Sequence, residues 1–412
     1  LIPKFVSERS SDGGATVASS RSVIIAGAGI GGLTAALALA QRGFPVAVFD
    51  QAQRLEEAGA GLQLSPNASR ILLALGLGRR LQPQVVVPEE LRVRDARTAR
   101  VLARAPFGAT AAERYDAPYW VIHRGDLQTV LLDAVREHPD IALVLGTRVE
   151  NFTQDSEGVT ITARAARPFE QRGLALIAAD GLWSSLRERI GDRQTPRFAR
   201  HTAWRALVPA DAVIPDQRAP AIDLWLGSNA HLVHYPVRSG ALINIVAIIR
   251  DDWREPGWSA PGERADILSR YPAAAWSPAA RAVLAAPRHW AKWALYDRAP
   301  LAHWGQGAVT LLGDAAHPML PYLAQGAAMA IEDAAVLAQR LADTPHDPAG
   351  AMRRYERQRQ RRTARTQRAA RRNGTIYHMA GPGAFLRMLA LTAMGRHRLL
   401  TSYDWLYGWK AA

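Results

Sequence analysis

Three constellations in this 412-residue chain carry residue types that can do chemistry. The first is Gly27-Ala28-Gly29-Ile30-Gly31-Gly32, followed by Asp50. Gly27 permits a tight strand-to-helix turn, Gly29 lets a pyrophosphate approach the backbone, and Gly32 lets helix and strand pack closely. A helix starting there offers unpaired N–H groups and the positive end of its dipole to phosphates. Asp50, 18 residues past Gly32, is placed to accept hydrogen bonds from a ribose. The set predicts a bound dinucleotide whose adenosine ribose lacks a 2′-phosphate, without separating a nicotinamide from a flavin. The second constellation is a pair of acids that follow apolar runs, Asp180 (with Gly181, Ser184 and Arg187) and Asp314 (after Gly313). An acid at the carboxyl end of a parallel strand points into the ligand crevice. The third is His231 with Tyr235. On a strand these share a face and can point into one cavity, while His234 points the other way. On residue types alone, a structural role is the stronger reading of that pair.

The surrounding pattern supplies the elements that must position these groups. Val23–Ile25 reads as a buried strand, Leu33–Gln41 as a helix ended by Gly43, and Pro45–Phe49 as a second strand. Gly59-Ala60-Gly61 precedes a short extended stretch, and such small residues let backbone lie against a flat ring. Ser65 reads as the cap and Pro66 as the first turn of a helix over Ala68–Leu75. Leu91–Ala105 alternates apolar and charged residues, which predicts antiparallel strands with Arg92 and Arg94 on a wet face. Trp120–Asp126 leads from strand to helix, with Asp126 as a cap. Arg124 sits at the strand-to-helix return, where a guanidinium can bind phosphate. Ile141–Leu145, Val149–Thr153, Val159–Ala163 and Leu174–Ala178 read as further strands.

Residues 202–295 are Trp-rich with short alternating runs, Ala221–Leu226, His231–Val237 and Ala241–Ile249, which predicts an antiparallel sheet with one buried face and hence a second domain. Ala308–Leu312 is another buried strand, followed by a helix from about Gly326 to Leu341 that carries Glu332 and Asp333. Three strand ends, at Gly27–Gly32, Asp180 and Asp314, therefore converge on one ligand. A lone nicotinamide does not require the chain to return at residue 313; a larger dinucleotide spanning two domains does.

Composition narrows the classes. The chain has no cysteine, which excludes disulfides, iron–sulfur clusters and thiol catalysis, and fits a reducing, cytoplasmic setting. Residues 1–20 are polar and Gly/Ser-rich and read as a flexible leader. No apolar run of about 18 residues occurs, so no membrane span is expected. The net charge of +14 is local: residues 353–372 hold ten Arg and one Glu. That spacing reads as a solvated helix, or one docked on an acidic surface, and not as a nucleic-acid site. The aromatic tail after Gly381 is expected to pack on the body or on a second subunit of a homodimer, with a monomer as the alternative. No metal site is expected.

Taken together, the glycine loop Gly27–Gly32, the Asp-Gly motif (Asp180, Gly181, Ser184, Arg187) and the Gly-Asp motif (Gly313, Asp314, His317, Pro318), in this order within roughly residues 21–345, resemble the single-component FAD-dependent aromatic hydroxylases. Within that family the chain is most similar to the salicylate hydroxylase group, which includes 3-hydroxybenzoate 6-hydroxylase and 6-hydroxynicotinate 3-monooxygenase. The residues that carry this are 59–68 (GAGLQLSPNA), His123-Arg124-Asp126-Leu127, His231 with Tyr235, and 321–334 (PYLAQGAAMAIEDA). Gln63 and Tyr322 stand where the hydroxynicotinate enzyme carries histidines, which disfavours that substrate, and Ala324 replaces the more usual Gly.

The resemblance implies an α/β fold. It comprises a Rossmann-like FAD-binding domain with a discontinuous parallel sheet (21–90, 119–195, 296–345), an inserted mixed or antiparallel-sheet substrate domain (91–118, 196–295) and a C-terminal helical region (346–412). It implies FAD contacts at Gly27, Gly29, Gly31, Gly32, Asp50, Gln51, Gln63, Arg124, Asp180, Gly181, Asp314, Gly326 and Ala327. Within these, Asp50 binds the adenosine ribose, Arg124 the phosphates, Asp314 the ribityl chain, and the Gly326–Ala327 backbone the ring. His231 is implied as the base that activates a phenol and Tyr235 as the group that orients it. The implied reaction takes NADH or NADPH, O2 and a phenolic aromatic acid to a diol through a C4a-hydroperoxyflavin. Arg205 is a candidate partner for the acid's carboxylate. Rival readings are a flavoprotein oxidase or dehydrogenase, a halogenase (whose Trp-x-Trp-x-Ile-Pro stretch is absent) and a nucleic-acid-binding flavoprotein.

Overall fold

The computed structural model describes residues 19–55, 59–255 and 259–411; the leader expected over 1–20 falls almost wholly outside them. Val23–Ala26 is buried at every position and lies in a six-stranded sheet of order Gly305–Gln306, Val309–Leu311, Ala175–Ala178, Val23–Ala26, Val46–Phe49, Ile141–Val144. All its pairings are parallel except the short hairpin at the Gly305 edge. Strands buried on both faces need continuous apolar runs, which these sequences supply. The helix Ile30–Ala40 packs against Arg124–Glu137 and Gly326–Asp343 on this layer. A three-stranded antiparallel sheet (Arg148–Asp155, Gly158–Arg164, Pro168–Gly173) stands beside it.

The second large sheet has eight strands, in order Ala260–Glu263, His289–Asp297, Arg197–Pro209, Leu242–Arg250, Ala230–Val237, Ala221–Leu226, Glu90–Asp95, Val101–Pro106. It is antiparallel except where Ala221–Leu226 runs parallel to Glu90–Asp95. Its outer face (Trp204, Trp225, Leu232, Ile245) is covered by Arg264–Arg270 and Pro278–Ala285. Its inner face carries Arg205, Leu207, His231, Val233, Tyr235, Asn244 and Val246, and packs on the turn Pro321–Leu323 and neighbouring residues. Among the described residues no helix is long and apolar enough to cross a membrane.

Several local expectations change. Arg92 and Arg94 do not lie on a wet face; they are 6% and 8% exposed. Asp223 stands opposite Arg92 in register. Both guanidiniums bind its carboxylate at 2.5 Å and reach Asp216 at 2.8 and 2.7 Å. The partner acids, far along the chain, convert an alternating pattern into a buried ion cluster. Ser65 occupies the N-cap position but does not cap: its hydroxyl donates to Asn67 Oδ1 and accepts from Gln325 Nε2. Asp126 sits inside its helix, whose N-cap is His123, and pairs with Arg238 at 2.9 Å.

The arginine-rich segment is one 30-residue helix, Pro348–Tyr377. Arg357, Arg361, Arg368 and Arg372 face solvent. The opposite side docks on acids of the same chain. Arg359, fully buried, binds Glu332 at 2.5 Å and Asp333 at 2.7 Å. Arg362 also binds Glu332, at 2.6 Å, and Arg371 binds Asp297 at 2.5 Å. The end of the aromatic tail packs on the same chain, with Trp405 under Arg365, Trp409 under Arg359 and Arg362, and Tyr407 edge-on to Tyr115 and Tyr119, whereas Phe385, Leu386 and Leu389 are exposed.

Candidate active site

The glycine loop shows which glycines packing demands. Gly27 has φ +112°, and a Cβ there would meet Ala179 O at 2.3 Å. A Cβ on Gly32 would meet Gly27 O at 1.9 Å, and one on Gly31 would meet Leu312 Cδ2 at 2.8 Å. Gly29, the N-cap of Ile30–Ala40, is different: nothing lies within 4 Å of its missing side chain. Its approach side is open, at the end of a helix with no side-chain cap. Asp50 accepts from Ala28 N at 2.7 Å and Ala52 N at 2.8 Å. That holds the loop shut and leaves carboxylate lone pairs for a further donor. Gln51 beside it is exposed.

The other strand ends meet this loop. Asp180 Oδ2 accepts weakly from Leu186 N at 3.4 Å, while Oδ1 is buried with no hydrogen-bond partner among the described residues. Burial raises its pKa and the Ser184 hydroxyl pulls it back. Gly181 turns the chain at φ +80°. Arg187 does not reach the crevice: it is buried, ion-paired to Asp192 at 2.6 Å, and donates to the carbonyls of Ala315 and Ala316. It therefore clamps the Gly313–Ala316 turn. Asp314 opens onto the crevice. Surrounding protein raises its pKa, and the charges of His317 and Arg124 oppose this. Gly326 begins its helix with nothing nearer to its missing Cβ than Asp314 Oδ1 and Met319 Cγ, both at 3.9 Å, and Ala327 follows, half-buried. Ala324, where glycine is usual, takes φ +51°, ψ 39°, a conformation that favours glycine.

An open Gly29, an orphaned Asp180 oxygen and an exposed Asp314 carboxylate are what a flavin dinucleotide needs from this crevice, and the residues fit it. Gln63 lies at the boundary with the second sheet, where its Oε1 accepts from Tyr119 OH at 2.8 Å.

Across the boundary, His231 and Tyr235 share the inner face of Ala230–Val237, and both are buried. Their neighbours differ. Tyr235 stands with Arg205 and Gln63, which lower its pKa against a larger rise caused by burial. The hydroxyl is thus held protonated as a donor. Arg205 also lies over the Trp293 ring at 4.9 Å. His231 Nδ1 is 2.8 Å from His378 Nε2, and its ring lies edge-on to Tyr322 and Tyr377. His234 faces the other side, toward Asp223 and Trp225, and burial depresses its pKa to about 4. Sequence reasoning missed His378, His201, Tyr119 and Asn244; none lies in a motif, so no local signal marked them.

A family profile described as "FAD binding domain" matches residues 20–371. The 3-hydroxybenzoate 6-hydroxylase of Polaromonas naphthalenivorans is 38% identical over 388 residues, covering 94% of this chain and 96% of that protein. The 3-amino-4-hydroxybenzoate 2-monooxygenase PtnB3 of Streptomyces platensis is 37% identical over 393 residues, covering 95% and 96%. Among solved structures, a salicylate hydroxylase substrate complex superposes with a TM-score of 0.80 at 27% identity, covering 95% of this chain and 96% of that one.

Proposed function

The chain belongs to the FAD binding domain family, and from that premise we propose that it hydroxylates a phenolic aromatic acid of the 3-hydroxybenzoate or salicylate type, with NADH or NADPH and O2 as co-substrates. It is an FAD-dependent aromatic hydroxylase. Bound FAD supplies the electron transfer and the activation of oxygen; the protein supplies binding, orientation and proton movement.

The observation that carries the substrate reading is the shared inner face of His231, Tyr235 and Arg205, packed against Leu320, Tyr322 and Leu323. Gly29, Gly31 and Arg124 hold the cofactor's diphosphate, Asp50 its ribose, Asp314 its ribityl chain, and Gly326 and Ala327 its ring. Asp180 contributes its unpartnered oxygen. Arg205 holds the substrate carboxylate. Tyr235, kept protonated, donates to the ring oxygen, and His231 takes the phenol proton on Nε2, because Nδ1 is engaged by His378. A phenolate is the electron-rich ring that an electrophilic oxygen requires. Burial of both His231 and Tyr235 excludes water from the reacting ring. The small-molecule reading is preferred to nucleic-acid binding because Arg359, Arg362 and Arg371 are committed to acids of the same chain. Dependence on reduced nicotinamide suits a cytoplasmic setting.

The deciding experiment measures NADH and NADPH oxidation and O2 uptake by the FAD-loaded protein with 3-hydroxybenzoate, salicylate and 3-amino-4-hydroxybenzoate, assaying H2O2 and aromatic product. A hydroxylated product with little H2O2 identifies the substrate. If no phenolic acid accelerates oxidation and reduced nicotinamide never bleaches the flavin, the hydroxylase reading fails in favour of an oxidase.

A further inference from the structure

A phenol ionises near pH 10, as tyrosine does. A base that takes its proton and keeps it must be stable as a cation, and His231 is badly placed for that. It is 3% exposed, and burial, then His378, His201 and Arg387 push its pKa well below 6.5. The charges that act on it among the described residues include no acid. His201 comes from Arg197–Pro209, Tyr322 from the turn Pro321–Leu323, Tyr377 and His378 from the end of the arginine-rich helix, and Arg387 from Gly381–Ala393. A proton that arrives on Nε2 must be matched by one that leaves.

The geometry provides the way out. His231 Nδ1 and His378 Nε2, 2.8 Å apart, need one N–H and one lone pair between them. For Nε2 of His231 to be a base, its Nδ1 carries the hydrogen and donates to His378. His378 then carries its own hydrogen on Nδ1, which has no hydrogen-bond partner among the described residues. His378 stacks on His201 with ring centroids 4.5 Å apart and planes 22° apart. Both line a cavity of about 540 Å³ with Tyr322, Arg197, Arg250 and Arg371. His378 lies just past residues 20–371, which the family profile matches.

We propose that His378 is the second member of a two-histidine proton relay, which carries the phenol proton from His231 to the arginine-lined cavity. The inference rests on the hydroxylase reading. Outward, the phenol O–H bond breaks and an Nε2–H bond forms on His231. The His231 Nδ1–H bond breaks and an Nε2–H bond forms on His378. The His378 Nδ1 proton, on an atom sealed from solvent in the resting arrangement, passes to water admitted from the cavity when the ring tilts off its stack on His201. Each ring gains one proton and loses one, so neither stores the charge that its surroundings disfavour. After hydroxylation the new ring loses its carbon-bound proton and regains aromaticity. The same steps then run backwards, reprotonating the phenolate oxygen and restoring both starting tautomers. His378 touches His231 and not the substrate, and is a positioning residue.

The test reads ionisation directly, without turnover. The FAD-loaded full chain is mixed with 3-hydroxybenzoate in the absence of reduced nicotinamide. After a pH jump, near-ultraviolet absorbance follows conversion of the bound phenol to phenolate. In H378A the ligand is expected to bind with unchanged affinity and ionise at least about tenfold more slowly, and added imidazole, entering through the cavity, restores the rate. H378Q, which fills the space but cannot pass a proton, should be slow and unresponsive to imidazole. A wild-type rate in either variant overturns the relay, as does a slow H378A that imidazole leaves slow. If H378A does not fold, H378Q decides: slow ionisation at unchanged affinity supports the relay and a wild-type rate sinks it. Failure of the parent reading shows earlier, in the unsubstituted protein, as no binding of any phenolic acid and no ligand-stimulated NADH or NADPH oxidation.

Discussion

The side-chain oxygen of Asn244 accepts a 2.6 Å hydrogen bond from the backbone N–H of Gly61, and this bond ties the inner face of the eight-stranded sheet to the small-residue stretch beside the cofactor crevice. Asn244 is fully buried and pairs in register with Tyr235, whose ring occupies the space that a Cβ on Gly61 would need. Glycine at 61 and asparagine at 244 therefore hold one junction. Asn244→Leu strands the Gly61 N–H in an apolar wall, at a cost of about 1–3 kcal/mol. The variant should unfold earlier in urea and release more H2O2 per NADH consumed, because water gains access to the reacting ring. An unchanged peroxide yield would mean that the junction does not seal the site.

Gly29 and Gly32 should respond differently to the same added methyl group. At 32 the new carbon would sit 1.9 Å from Gly27 O, so Gly32→Ala must displace the backbone of the loop. At 29 it meets nothing within 4 Å. Gly29→Ala should give a folded protein with normal far-ultraviolet circular dichroism and FAD affinity reduced by about tenfold or more, read by quenching of flavin fluorescence. Gly32→Ala should lose soluble protein. Equal FAD affinity in Gly29→Ala and the parent would remove Gly29 from the cofactor site.

Arg359 is buried between Glu332 and Asp333, and removing it leaves each buried carboxylate with one cationic partner fewer, only Arg362 remaining on Glu332 and His317 on Asp333. Breaking one side of such a cluster costs about 3–5 kcal/mol. For a chain of this length that lowers Tm by about 4–6 °C in Arg359→Met. The same change should release the Gly313 turn, since Asp333 also accepts from Gly313 N at 3.1 Å and from His317 at 2.5 Å. FAD affinity should therefore fall together with Tm.

Acid should destabilise the fold through two groups whose windows overlap between about pH 3.9 and 3. His378 titrates at about 3 in the folded protein, because burial, His201 and Arg387 disfavour its cation, and near 6.5 when unfolded. The unfolded chain binds more protons between those values, so stability falls as pH drops below 6.5. Asp333 is the opposite case. Burial alone would raise it, but His317 and Arg359 outweigh burial and hold it at about 2. Its contribution is complete above the unfolded value of about 3.9 and is lost as pH falls from there toward 2. Melting curves from pH 7 to pH 3 should show His378→Gln flattening the upper window and leaving the lower one in place.

His231→Ala should lower kcat by about 10²–10⁴ with the phenolic substrate while leaving FAD bound, the range expected for loss of a general base. Tyr235→Phe, which removes a donor and no base, should act mainly on KM and on the H2O2 fraction. A kcat in His231→Ala within a factor of about two of the parent would show that the phenol ionises by another route.

Much of the cofactor crevice was legible in the chain itself because its parts are local. A strand, a glycine turn, a helix start and an acid at the next strand's end fall within residues 23–50, and the backbone geometry of such a unit follows from steric rules that act over a few residues. The period-two strand of His231 and Tyr235 likewise shows in sequence that the two share a face. What stands opposite a side chain is a different matter. Arg92 and Arg94 read as wet until Asp216 and Asp223, more than 100 positions later, arrive by strand pairing. The arginine-rich helix reads as a solvated surface or as one docked on an acidic surface, and only packing shows that the acids it meets are those of Gly326–Asp343 in the same chain. His378 reads as nothing until chain folding sets it 2.8 Å from His231, 147 positions earlier. Spacing along the chain encodes the direction of a side chain, whereas the sign and identity of its partner arise only when distant elements pack. The sequence by itself determined the fold class, the cofactor and the face that His231 and Tyr235 share. Tertiary packing decided which charges are buried, what holds the Gly313 turn, and which ring stands beside His231.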